Sequence, residues 1–183
     1  MKKRRKKKLK NSKKHLHTPY VKFEYDKRLV GKATDVRIYR DVTILTEGTF
    51  SDSLSMEAVQ YPKDVLKRTV SNWQSNYLNI DHSHRVLDRI GKVENARWGD
   101  GKVKADLYIH PITENATDTI KLIDSGLINW LSVEIMTEDA YDRNNERYVK
   151  DLDYIGLAVV TAPACKGALI HDEGPEPPGF LYD

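Results

Sequence analysis

The stretch NIDHSHRVLDRIGKV, residues 79–93, continues through residues 94–109 and decides how this chain folds. It is typical of a strand that ends in a polar cluster, followed by a short connection and a hairpin. The cluster contains Asp81, His82 and His84, so a carboxylate and two imidazoles lie within four positions. Ser132 follows His82 by fifty positions, in the middle of another predicted strand. A sheet that joins these two strands would create a histidine–serine proton-transfer pair, which is the central prediction.

Outward from this stretch, the hydrophobic pattern predicts mostly strands. The hairpin turns at 98–101, because Asp and Gly tolerate the positive φ of tight turns. Strands are predicted over residues 36–46, 77–81, 91–96, 101–109, 129–137 and 148–161. Helices are predicted over residues 62–72 and 113–125. Residues 138–145 are predicted to form a polar loop, and residues 49–60 are ambiguous. The predicted fold class is therefore mainly β with flanking helices (α+β), as a closed or nearly closed barrel of about six to seven strands.

Charge divides the chain unevenly. Residues 1–14 hold ten of the 30 Lys and Arg side chains and no acid, which leaves 20 basic against 27 acidic side chains in the remainder, a formal charge of −7. Such a basic block is typical of a disordered arm, which either solubilises the protein or binds nucleic acid or another polyanion. We predict a basic tail over 1–18, one domain over 19–170 and a Pro-rich acidic tail over 171–183.

Several classes of protein are excluded or disfavoured. No apolar run approaches the roughly 20 residues that cross a bilayer, and no apolar segment follows the N-terminal charges, so neither a membrane span nor a secretory signal is expected. Cys165 is the only cysteine, so no intramolecular disulfide can form. No Cys and His spacing of a structural zinc site is present.

The two histidines of the polar cluster allow two kinds of chemistry. His82 could act as a general base near neutral pH. The His82-x-His84 spacing also suits a metal, and a hydrolase centred on Asp81, His82 and His84 is the alternative. Because no further ligands are evident in the sequence, we rank proton transfer above metal binding and expect no metal and no cofactor.

Ser132 needs a partner if it is buried. Strand periodicity puts Ser132 and Glu134 on one face. An unpaired buried hydroxyl is costly, so Ser132 bonds either backbone or an imidazole. For Glu134 three roles stay open: a solvated strand acid, a substrate contact, or a partner of a base such as Lys104.

An ordered set of short motifs resembles the prohead maturation proteases of tailed viruses. The resemblance spans roughly residues 36–166 and rests on Asn79-x-Asp81-His82, Ile90-Gly91-Lys92-Val93, Ala105-Asp106-Leu107, Ser125-Gly126-Leu127, Leu131-Ser132-Val133-Glu134 and Gly156-Leu157-Ala158-Val159-Val160-Thr161-x-Pro163-Ala164. It implies a serine endopeptidase with the β-barrel fold of herpesvirus assemblins, in which His82 activates Ser132.

The resemblance also implies a biological setting. Such enzymes act inside the prohead in the host cytoplasm, where they cleave the scaffold and the major capsid protein and often themselves. A homo-oligomer is possible, no membrane is involved, and the basic tail would bind nucleic acid or scaffold. The alternative is a virion or nucleic-acid-binding protein without catalysis on the same barrel.

The third catalytic residue departs from the resemblance. The position that matches the family's acid is Gly156, which has no side chain to supply. We predict that Asp153 takes this role, with Asp151 and His84 as alternatives. Backbone amides around Cys165, and in particular those of Lys166 and Gly167, are predicted to contact substrate or to form the oxyanion hole.

Overall fold

The computed structural model describes residues 36–51 and 57–171, within a compact unit Ala33–Asp183. The predicted basic tail, and the predicted acidic tail after residue 171, lie outside the described residues. No helix among the described residues is long and apolar enough to cross a membrane.

The fold is mainly β with two flanking helices, which confirms the predicted fold class. The eight strands are β1 Arg37–Thr46, β2 Gly48–Ser51, β3 Ala58–Tyr61, β4 Trp73–Ile80, β5 Arg89–Gly99, β6 Lys102–Ile109, β7 Trp130–Tyr141 and β8 Arg147–Val160. The helices are α1 Lys63–Thr69 and α2 Glu114–Asp124, and one 3-10 turn covers Val86–Asp88.

A single sheet contains all eight strands, in the order β1-β6-β5-β4-β8-β3-β2, with β7 paired to β8. The long strand β8 is its centre. Along one edge β8 pairs antiparallel with β7 over most of its length, and along the other it pairs in parallel with β4 and, at one position, with β3. This arrangement puts β4 and β7 on opposite sides of β8, which is how two distant segments of the chain come together.

The sheet curls until its first strand approaches β7. The segment that follows β8 bridges the gap: Thr43 N–H donates to Leu169 C=O, and Leu131 N–H donates to Ala168 C=O, each at 3.0 Å. The Asn129 side chain fixes this segment further, since it donates to His171 C=O at 2.9 Å and accepts from His171 N–H at 2.7 Å. The backbone groups at both edges of the gap are thus satisfied.

Two apolar clusters lie on opposite faces of the central strands. The concave face carries the main core, whose fully buried members include Ile44, Leu66, Leu78, Leu107, Ile109, Ile123, Leu131, Tyr154 and Leu157. The opposite face carries a smaller cluster of Trp130, Ala158 and Val160. Because side chains alternate along a strand, Ser132 and Glu134 lie on the face of the small cluster.

The local signals for the second helix and the hairpin turn match the structure. Thr113 caps α2 by accepting from Ala116 N–H at 3.2 Å, and Gly126 follows the helix with φ +74°. Asp100 and Gly101 form the β5–β6 turn with φ of 51° and 78°, as two-residue hairpins require.

Three parts of the sequence differ from expectation. The ambiguous region contributes the short strands β2 and β3, and β4 begins four residues earlier than predicted. The first half of the predicted polar loop 138–145 is strand, because β7 extends to Tyr141, while residues 142–145 belong to the connection to β8, which begins at Arg147. Cross-strand ion pairs stabilise this polar extension: Arg147 pairs with Asp139, and Lys150 with Glu138.

Candidate functional site

The pairing of β4, β8 and β7 assembles the candidate site in two adjacent rows. In one row Asn79 lies opposite Ala158, which lies opposite Ser132. In the next row Tyr77 lies opposite Gly156, which lies opposite Glu134. The strand before His82 and the strand of Ser132 therefore belong to one sheet, with β8 between them.

A tight turn carries His82 back over these rows. Ser83 N–H donates to Ile80 C=O at 2.9 Å, and the two residues between them, Asp81 and His82, have φ of 46° and 54°. Positive φ at both central positions defines a type I′ turn, which favours Gly or Asn. A non-glycine residue in this region costs roughly 1–2 kcal/mol, so the turn places the imidazole at an energetic cost.

Hydrogen bonds on both sides hold the turn in place. Asp81 N–H donates to Val159 C=O of β8 at 3.0 Å. On the other side the Ser83 hydroxyl donates to Asp88 at 2.6 Å, and Asn115 of α2 donates to the same carboxylate at 2.8 Å. The hydrogen bond from Ser83 lowers the pKa of Asp88 against the opposing effect of burial, and the bond from Asn115 adds to it.

The carboxylate against His82 belongs to Glu134. His82 Nδ1 lies 3.1 Å from Glu134 Oε1, and the Tyr77 hydroxyl donates to Oε2 of the same carboxylate at 2.5 Å. The Glu134 side chain is 14% exposed and that of His82 is 42% exposed. A carboxylate only accepts, so in this contact Nδ1 carries the proton, and in the neutral ring Nε2 is the nitrogen without one.

The structure assigns this contact to Glu134 rather than to Asp153. Asp153 lies opposite Met136 in the β7–β8 ladder, beyond a register shift that follows Glu134. Within the part of the chain that is described, neither Asp153 nor Asp151 contacts His82, and His84 is exposed without a contact to it. The serine-x-glutamate spacing was the signal in the sequence, since strand periodicity already placed Ser132 and Glu134 on one face.

Lys104 does not serve as the partner of Glu134. Its ammonium binds Asp41 and Asp100, each at 2.8 Å, in a separate polar cluster near the β5–β6 turn. The hydrogen bonds that Lys104 donates to Asp100 and Asp41 raise the pKa of Lys104 above its ordinary value. The described partners of the Glu134 carboxylate are instead His82 and Tyr77.

Ser132 is half-buried and its hydroxyl has no hydrogen-bond partner among the described residues. The hydroxyl oxygen of Ser132 is not fully buried, so solvent reaches it. Ser132 lies in the row between the turn and the row of Glu134. Among the described residues no hydrogen bond joins His82 to Ser132; His82 instead contacts Glu134, which lies on the same strand face as Ser132.

Lys166 and Gly167 form the middle of a turn beside the beginning of β7. Ala168 N–H donates to Cys165 C=O at 3.0 Å to close this turn, and Ala168 C=O accepts from Leu131 N–H. Neither amide of the two central residues donates to another backbone group within the described chain. The two amide groups therefore have no backbone acceptor, and their turn is bonded to Leu131, the neighbour of Ser132.

The described residues contain no group of three or more His, Cys, Asp or Glu side chains that could hold a metal ion. Asp81 and His82 are the two central residues of the turn, His84 follows it, and both Asp81 and His84 are exposed while the imidazole of His82 faces Glu134.

The chain was compared with protein-family models, with curated proteins and with solved structures. No protein-family model matches the chain, and no curated protein matches it. A solved structure, the capsid assembly protease gp21 of bacteriophage T4, is similar with a TM-score of 0.44 and 11% sequence identity, over 68% of this chain and 96% of that chain. The comparisons assign no family, so the geometry above is the basis for a functional proposal.

Proposed function

We propose that this chain is a serine endopeptidase in which Ser132 is the nucleophile, His82 the general base and Glu134 the carboxylate that orients His82. The observation that carries the proposal is the 3.1 Å contact between His82 Nδ1 and Glu134, two residues from Ser132 on the same strand face. In this proposal Glu134 orients His82 and His82 activates Ser132, which is the order of acid, imidazole and alcohol that serine hydrolases use on unrelated folds.

The chemistry follows from this arrangement. His82 Nε2 takes the proton of Ser132 as the hydroxyl oxygen attacks a peptide carbonyl carbon. The imidazolium, held by Glu134, returns the proton to the departing amine, and an acyl-enzyme remains on Ser132. A water molecule then loses a proton to His82, attacks the ester and releases the new carboxyl terminus. No cofactor takes part.

Charge on the carbonyl oxygen needs donors that are already in place. The backbone amides of Lys166 and Gly167 are our candidates, because their turn is bonded to Leu131, the neighbour of Ser132. Gly167 also packs against β1, where a Cβ on it would come within 2.8 Å of Thr46 Cγ2. Larger residues at position 167 would therefore push the turn away from β1.

The substrates that we propose are the scaffold and the major capsid protein of a virus, cleaved inside the prohead in the host cytoplasm, with self-cleavage. This part of the proposal rests on the ordered motifs of the sequence that resemble prohead maturation proteases. The basic segment 1–14 would bind scaffold or packaged nucleic acid through its charge.

A fluorophosphonate probe tests the proposal directly. We expect the probe to modify Ser132, and modification to be lost in both Ser132→Ala and His82→Ala. Ser75→Ala is the matched control, since Ser75 is a half-buried strand serine on β4. Cleavage of co-expressed capsid protein should likewise be lost in Ser132→Ala and His82→Ala and retained in Ser75→Ala.

Unchanged cleavage by Ser132→Ala would refute the serine mechanism. Cleavage that a chelator abolishes would favour the metal-dependent alternative. Absence of both labelling and cleavage in assembled particles would leave a non-enzymatic virion protein as the better account.

A further inference from the structure

Glu134 is held at both of its oxygens. Oε1 faces His82 Nδ1, and Oε2 accepts from the Tyr77 hydroxyl at 2.5 Å. A hydroxyl bonded to a carboxylate at this distance is a charge-assisted hydrogen bond, roughly twice as strong as a neutral one. Because the Glu134 side chain is largely shielded from solvent, water is a poor substitute for this donor.

The path from Tyr77 to Glu134 crosses the central strand at Gly156. The three residues form one row of the sheet. A Cβ on Gly156 would lie 2.2 Å from Tyr77 Cε2 and 2.6 Å from Cζ, so the phenol ring lies directly over this glycine. The absence of a side chain at position 156 is what lets the hydroxyl reach across β8.

The ring of Tyr77 also contacts Arg89. The Arg89 guanidinium carbon lies 4.2 Å from the ring centroid, which is within cation–π range. Arg89 begins β5 and lies opposite Asn79, next to the row of Tyr77. Contacts with Gly156 and Arg89 therefore fix the ring independently of its hydroxyl.

We propose that Tyr77 is a positioning residue, which acts through Glu134 to hold His82 in the orientation and tautomer that a general base needs. The inference rests on the proposed function and deepens it. Tyr77 touches no reacting atom. Its hydroxyl fixes the side-chain conformation of Glu134, and Gly156 and Arg89 fix the ring that carries the hydroxyl.

Tyr77→Phe isolates the hydroxyl, since the ring, its contact with Arg89 and its place over Gly156 remain. Loss of one hydrogen bond to a charged group should lower kcat about 10- to 100-fold. KM should stay unchanged, because Tyr77 does not contact the substrate. Tyr108→Phe is the matched control: Tyr108 is a half-buried strand tyrosine under a cation, Lys92, at 5.5 Å, and its variant should retain full activity.

A double-mutant cycle separates positioning from a general structural effect. Tyr77→Phe should have little further effect once Glu134→Gln has removed the carboxylate, because the hydroxyl acts only through it. Equal losses from Tyr77→Phe in both backgrounds, or activity of Tyr77→Phe equal to that of the unmodified chain, would overturn the inference.

The tautomer of His82 gives a readout that does not need activity. Long-range ¹H–¹⁵N spectra, with the His82 signals assigned from His82→Gln, should show the neutral ring protonated at Nδ1, and Tyr77→Phe should shift it toward protonation at Nε2. This shift without peptidase activity would leave the inference intact and refute the proposed function. Activity that depends on Ser132, with no effect of Tyr77→Phe on either tautomer or kcat, would refute the inference alone.

Discussion

Gly156→Ala should distort the candidate site from beneath. The added methyl would lie 2.2 Å from Tyr77 Cε2. Carbon atoms approach favourably only to about 3.5 Å, so the ring must move by about 1.3 Å. A movement of this size takes the hydroxyl out of the short bond to Glu134. Overpacking costs about 1–3 kcal/mol, and a lost hydrogen bond to a charged group adds about 1.5–3 kcal/mol.

We therefore expect Gly156→Ala to lower the free energy of unfolding by about 2–4 kcal/mol, allowing for partial relaxation. Urea unfolding followed by the fluorescence of the three tryptophans measures this change. The rate of fluorophosphonate labelling should fall with it. Gly99→Ala is the matched control, because a Cβ on this strand glycine would meet only Lys104 Cδ, at an ordinary 3.7 Å.

The effect of Gly156→Ala on the free energy of unfolding should change sign when the ring of Tyr77 is absent. In a Tyr77→Ala background the methyl at position 156 meets no ring, and alanine restricts the unfolded chain more than glycine does. Gly156→Ala should then be neutral or stabilise by up to about 1 kcal/mol. The same loss of stability in both backgrounds, or equal stability of Gly156→Ala and Gly99→Ala, would refute the claim that the ring occupies this space.

Three further predictions concern the turn, the polar cluster and the segment that closes the sheet. His82→Gly should be more stable to urea than His82→Ala by about 1 kcal/mol, because φ is 54° there; the reverse order would refute the left-handed turn. Burial alone would raise the pKa of Asp106, but hydrogen bonds from Asp41 N–H, Asn95 and Arg97 lower it. The ionised carboxylate of Asp106 therefore stabilises the folded state above pH about 4, and this stabilisation is lost as the pH falls below that value. The stability difference between the unmodified chain and Asp106→Asn should therefore shrink from pH 7 to pH 3, and a constant difference would contradict it. Asn129→Ala should lower the free energy of unfolding by about 2–4 kcal/mol, because two backbone groups of His171 lose their partners; a loss below 1 kcal/mol in thermal or urea unfolding would contradict this.

Local signals predicted much of the fold. The Asp100-Gly101 turn and the Thr113 cap each depend on neighbouring residues, so they can be read directly. The extension of β7 and β8 could not be read in this way. Its residues are polar, and it is ordered by pairs such as Lys150 with Glu138 that form only after the strands have met.

In the candidate site, too, some features follow from local sequence and others depend on non-local strand pairing. Strand periodicity was enough to place Ser132 and Glu134 on one face. The parallel pairing of β4 with β8, which brings His82 to that face, is a non-local contact that no local pattern encodes. Asp153 was favoured because it lies near the position of the family's acid in sequence, but the register shift after Glu134 and the row of Tyr77 decide which carboxylate is available.

The position of Glu134 changes what the fold must hold in place. In the proposed triad the nucleophile Ser132 and the orienting acid Glu134 lie two residues apart on β7, so one extended strand fixes their separation. Only the imidazole comes from elsewhere, and its turn adopts positive φ at two non-glycine residues, anchored by Val159 and Asp88. A carboxylate on β8 would need a side chain at position 156, where the ring of Tyr77 lies. Glycine at position 156 leaves the space for the ring of Tyr77, whose hydroxyl donates to Glu134 on the neighbouring strand β7.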